Sequence, residues 1–150
     1  MAENVKVAAQ KVEAFQKFLD ENKITGFTTE DLGGEMQGHA FRSNLPVAGQ
    51  NLPFWIVIDD SVYTMIQVQI VAGIAVADKR ERICSFLNDL NEQYKVLKYS
   101  ADAQGNVILS CCIPAGVPHF EPALVIAILN QIQSNLDSIY AELMQQLWAK

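Results

Sequence analysis

From Leu52 to Ile70 every second side chain is apolar except Asp60, in the break Asp59-Asp60-Ser61, and Thr64. Successive side chains of a strand point to opposite faces, so a run of this period predicts a β-hairpin with one face against a core. The loop length decides which residues share that face. A two-residue loop mixes the faces, whereas a three-residue loop, Asp59-Asp60-Ser61, pairs Ile58 with Val62, Ile56 with Thr64 and Phe54 with Ile66. The same face continues through Val68 and Ile70 and is the core side. The opposite face carries Trp55, Val57, Tyr63, Met65, Gln67 and Gln69, a mixture only partly suited to water.

The rest of the chain falls into place around this hairpin. Val5, Ala8, Val12, Phe15, Phe18 and Leu19 recur at steps of three and four, which predicts an amphipathic helix from Val5 to Leu19. Residues 28–34 are polar and end in a Gly33-Gly34 turn, and a first strand follows from Met36 to Asn44. Strands are expected over Leu52–Ile58 and Val62 to about Ala75. Asp78-Lys79-Arg80-Glu81 has the pattern of a capping box before a second helix marked by Ile83, Phe86, Leu87 and Leu90. Val96–Ala101 and Val107–Ile113 form a second hairpin, with Gly105 supplying a positive φ and with Leu97, Tyr99, Leu109, Cys111 and Ile113 on one face. A proline-containing connector leads to a helix from Glu121 to Ala149 that starts at Pro122, spans roughly 40 Å and overhangs the domain. The order is α-β-β-β-α-β-β-α, an α+β fold with a twisted antiparallel five-stranded sheet and packed helices.

Length and charge narrow the function. A chain of 150 residues, half of them apolar, forms one domain, 1–150, with a core that needs no staple. The net charge of −6 argues against a nucleic-acid partner, which requires clustered cations. The start, Met1 to Lys6, lacks the pattern of a secretion signal, and no apolar run is long enough for a membrane span. Three cysteines, an odd number, fit a reducing compartment, and a cytoplasmic location is expected.

Residues capable of chemistry are few and scattered. Asp59 and Asp60 are adjacent carboxylates, but at a hairpin tip Asp serves the turn. His39 lies in the first strand and His119 in the connector. Cys111 and Cys112 point to opposite faces of their strand and cannot jointly grip a metal; a Cys84–Cys111 pair is the alternative to free, buried thiols. Lys79, Arg80 and Arg82, interleaved with acids, read as a solvated helix start, and Trp148 as packing beneath its helix. No catalytic residue, metal site or cofactor is expected.

The stretch Arg82-Ile83-Cys84-Ser85-Phe86-Leu87-Asn88-Asp89-Leu90-Asn91, the turn Asp102-Ala103-Gln104-Gly105-Asn106 and the strand Val107–Ile113 before Pro114 resemble the YbjN family. That resemblance implies a fold like that of type III secretion chaperones, a tendency to dimerise and a non-enzymatic role in sensory regulation or in holding a client segment. Asn88 and Asn91 match the family's Asn-x-x-Asn, and both are expected to cap the helix end.

The functional expectation is therefore a non-enzymatic protein-binding module, a homodimer with a protein or peptide partner. Its contact face carries Trp55, Val57, Tyr63 and Met65, because exposed apolar patches mark contact sites. The alternative is a small-ligand sensor with a pocket near the first strand and the proline-rich connector, where His39, Asp59 or His119 converge.

Overall fold

A computed structural model describes residues 7–150. The expected helix start at Val5, like the segment before Val7, lies outside the described residues. Helix α1 spans Val7–Glu21 and buries Ala8, Lys11, Phe15 and Leu19. Strands β1 (Thr28–Gly33), β2 (Gly38–Val47), β3 (Gln50–Ile58) and β4 (Tyr63–Val71) follow. A 3-10 turn at Ala77–Lys79 leads into α2 (Arg80–Gln93). Then come β5 (Lys98–Ala101), β6 (Val107–Pro114), a 3-10 turn at Val117–His119 and α3 (Pro122–Trp148).

The fold is α+β, with an antiparallel sheet of six strands rather than five, in the order β1-β2-β3-β4-β6-β5. The additional strand is β1. Its sequence, Thr-Thr-Glu-Asp-Leu-Gly, has no apolar alternation because it is a sheet edge, exposed along nearly its whole length. Pairing with β2 holds it, Thr29 opposite Phe41 and Asp31 opposite His39, and Arg42 reaches Glu30 at 2.7 Å. Gly33 and Gly34 both adopt positive φ where β1 turns toward β2.

The described chain packs as two compact units. The first takes the residues through 43 with 55–66 and 112–129, and the second takes 44–54, 67–111 and 130–150. In the first unit Phe15, Phe27 and Phe41 meet edge to face in a three-ring cluster, at centroid distances of 6.3, 4.8 and 6.4 Å. Each such contact adds about 0.5–1.5 kcal/mol to the burial of the rings. This cluster fixes α1 on β2.

In the second unit the arginines take a role that interleaved charge concealed. Arg80 Nη1 donates to the carbonyls of Ala75 (3.1 Å) and Asp102 (2.9 Å), tying the entry to α2 to the β5–β6 turn. Arg82 donates to the carbonyls of Gln146 and Ala149, two of the acceptors that the end of a helix leaves unpaired. Neither forms a solvated helix start. The expected capping box is absent as well: α2 begins after Lys79, which makes no side-chain cap, because the 3-10 turn takes up Asp78. The terminal helix does not overhang, since Leu143 and Leu147 are buried at its far end. Trp148, expected to pack, is instead 59% exposed, as it lies one residue beyond the buried stripe that Leu147 closes.

Candidate functional site: an open sheet face and an acidic cleft

Burial along β3 and β4 alternates strictly. Leu52, Phe54, Ile56 and Ile58 are buried in β3, and Thr64, Ile66, Val68 and Ile70 in β4. The expected core face is correct except at Val62, which is 53% exposed because the strands end at Ile58 and resume at Tyr63, leaving residues 59–62 in the turn. On the other face Trp55, Val57 and Met65 are half-buried and Tyr63 is 53% exposed. Four large side chains, three of them apolar throughout or nearly so, thus lie on a surface that water reaches.

The turn beneath this face is tightly bonded. Asp59 Oδ1 accepts from the Ser61 amide at 2.9 Å, the turn role expected of it. Asp60 Oδ1 accepts from the Ala8 amide in the first turn of α1, while its own amide donates to Met36. Lys11, 1% exposed, reaches the same turn: its Nζ donates to the Ser61 carbonyl at 2.9 Å and stands 5.8 Å from the Phe120 ring centre. Burial lowers its pKa from 10.5, and the charges of Asp59 and Asp60 oppose that shift. Periodicity puts Val12 on the buried stripe and leaves Lys11 outside it, whereas Lys11 is buried and Val12 half-buried. The only sequence signal was the acidic pair at the tip, a ready counter-charge for a buried cation.

Beside this node, α1 and the β1–β2 hairpin enclose an open cleft of about 810 Å³. His39 and Phe41 of β2 and Asp31 of β1 line one wall, and Ala8, Val12 and Glu13 belong to the other. The His39 ring is stacked at a tilt against Phe41, 5.4 Å between centroids. This is a pocket at the expected first strand, but Asp59 and His119 do not line it. Asp59 closes its turn, and His119 ends the exposed 3-10 turn of the connector. The expected convergence of these three groups does not occur.

Cys111 is buried and Cys84 half-buried, whereas Cys112 is exposed rather than buried, and none of the three is joined in a disulfide. Opposite orientation of the neighbouring pair follows from strand geometry. Among the described residues no group of three His, Cys, Asp or Glu side chains is arranged to hold a metal ion. No described helix is long and apolar enough to cross a membrane.

The second unit carries the segment that prompted the family resemblance. Asn91 does not cap the helix end. Its amide group spans to β5, donating to the Tyr99 carbonyl and accepting from the Tyr99 amide. Asn88, its partner in the pattern, is exposed. Residues 11–145 match the sequence profile of YbjN, described as a "Putative bacterial sensory transduction regulator". The chain belongs to the YbjN family. The match begins at buried Lys11 and takes in the open sheet face and the whole lining of the cleft except Ala8 and Ala9. No curated protein matches the chain.

Proposed function

We propose that this YbjN domain is a cytoplasmic, non-enzymatic regulatory module that works as a homodimer and engages a polypeptide partner through the face carrying Trp55, Val57, Tyr63 and Met65. The observation that carries this reading is the half-buried state of a large-residue face on strands whose other side is fully buried. Apolar area left to water on a soluble domain is stabilised by covering it. On this reading the fold is of the secretion-chaperone kind, which acts by holding protein segments. The family description, a regulator of sensory transduction, fits a role executed by binding.

A photo-crosslinking amino acid at position 63 tests the reading. Crosslinks to a second copy in purified protein, or to another polypeptide in cells, are expected, and absence of both defeats it. The cleft beside His39 favours a second reading, a small-ligand sensor. A thermal-shift panel of metabolites tests that one, since a ligand at 100 times its Kd stabilises by about 2.7 kcal/mol.

A further inference from the structure

The cleft of the first unit has a lopsided charge: among the described residues, the carboxylates of Glu13, Asp20, Glu21 and Asp31 line it against one ammonium, that of Lys17. Some of these are engaged locally. Lys17 pairs with Glu21 at 3.8 Å, Asp20 accepts from Gln16, and Asp31 accepts from the Gly33 amide. Glu13 makes no ion pair or hydrogen bond among the described residues, and the described lining keeps an excess of negative charge.

Its shape is that of a trough. The α1 wall runs from Ala8 to Glu21, about 20 Å at a rise of about 1.5 Å per residue. That length matches about six residues of an extended chain at about 3.3 Å each. Ala8, Ala9 and Val12 keep one end of the wall short and apolar. The opposite wall includes β1, the first strand in the sheet order, whose outer main-chain edge has no strand beside it among the described residues. A free edge of this kind accepts a further strand. Glu13 and Asp20 lie roughly 10 Å apart along α1, the span of three residues in an extended segment.

We infer that this cleft docks an extended, basic segment of a partner polypeptide, its Lys or Arg side chains meeting the carboxylates of α1 and Asp31, and small apolar side chains resting on Ala8 and Val12. The site deepens the polypeptide-binding reading by naming the chemistry of the partner, and it uses a surface separate from the open sheet face. Length decides the occupant: a trough of this extent is filled by a strand and only partly by a small amine.

The test is fluorescence anisotropy with two labelled octapeptides, one alternating Lys and Val and the other alternating Glu and Val, on the full chain. The basic peptide is expected to bind at low salt and to weaken by about tenfold as ionic strength rises to a few hundred millimolar, with no binding of the acidic peptide. Glu13→Lys with Asp20→Lys, both on the exposed side of α1, is expected to weaken the basic peptide by about tenfold or more. Circular dichroism reports whether the variant keeps its fold, and Glu13→Gln with Asp20→Asn provides a milder pair with a smaller loss in the same direction. Equal binding of both peptides, no binding of the basic one, or indifference to the charge changes would overturn the inference. So would spermidine competing as tightly as the peptide, which would assign the cleft to free amines. Crosslinking from position 63 does not depend on these residues, so failure here and failure of the sheet-face reading are distinguishable.

Discussion

The Asn91 carboxamide takes both main-chain groups of Tyr99, donating from Nδ2 to the carbonyl at 2.9 Å and accepting the amide on Oδ1 at 2.6 Å. Tyr99 stands opposite Leu109 in the β5–β6 ladder, and β5 is the last strand of the sheet. The side chain thereby does what a neighbouring strand would do and closes an edge. The Tyr99 hydroxyl donates to Asn135 Oδ1 at 2.9 Å, tying the same residue to α3. Burial and the neighbouring Tyr94 raise the Tyr99 pKa well above 10. Asn91→Ala is expected to cost about 2 kcal/mol, since it leaves two partly buried groups unpaired. Urea unfolding checks this as a lower midpoint at unchanged slope.

Gly105 and Gly49 form a matched contrast. Both have φ near +80°, but a Cβ at Gly105 would meet Val76 Cγ1 at 2.5 Å and the Ala75 carbonyl oxygen at 3.0 Å, whereas nothing lies within 4 Å at Gly49. Gly49→Ala is expected to cost about 1 kcal/mol for backbone strain alone. Gly105→Ala is expected to cost about 2 kcal/mol more, because the clash displaces the Ala75–Gly105 hydrogen bond. Thermal unfolding of the two variants separates the effects, and equal losses would contradict the geometry.

Thr64 places a hydroxyl in the core without a partner among the described residues. Valine keeps the branching and removes the polar atom, so Thr64→Val is expected to stabilise the fold by about 1 kcal/mol. A higher urea midpoint supports this, and a lower one means that the hydroxyl is paired.

Asp102 sets an acid limit on the β5–β6 turn. Its pKa is lowered from 3.8 first by the Asn106 side-chain amide, then by the Asn106 backbone amide, with smaller contributions from the Gln104 amide and the Arg80 charge. A carboxylate depressed in the folded state binds fewer protons there than in the unfolded chain. Its stabilisation is present above 3.8 and is lost as pH falls through the lower folded value. Asp102→Asn is expected to be less stable than the parent at neutral pH and to converge with it below the carboxylate range. A constant gap across pH 2–7 would contradict this.

Elements with one buried face were legible, because burial writes a period into the residues. The alternation from Leu52 to Ile70 survives in the structure except at Val62. β1 left no such trace, since neither of its faces enters a core. Lys11 was hidden for a different reason: a lysine reads as solvent-facing unless its acceptors are known, and Ser61 is fifty residues away. The contacts of Arg80 and Arg82 are with main-chain carbonyls, which carry no residue type for a pattern to reveal. The cleft lies at the strand that bears His39, but its second wall is α1 rather than the connector.

The most direct test of the partner-binding face is the solution mass by light scattering of the parent chain and of Tyr63→Asp, a change at an exposed position that leaves the core intact. A covered face predicts twice the 16.6 kDa chain mass for the parent and the single-chain mass for the variant. A parent that stays at the single-chain mass at every concentration, or a variant that self-associates as strongly as the parent, contradicts the homodimer built on that face.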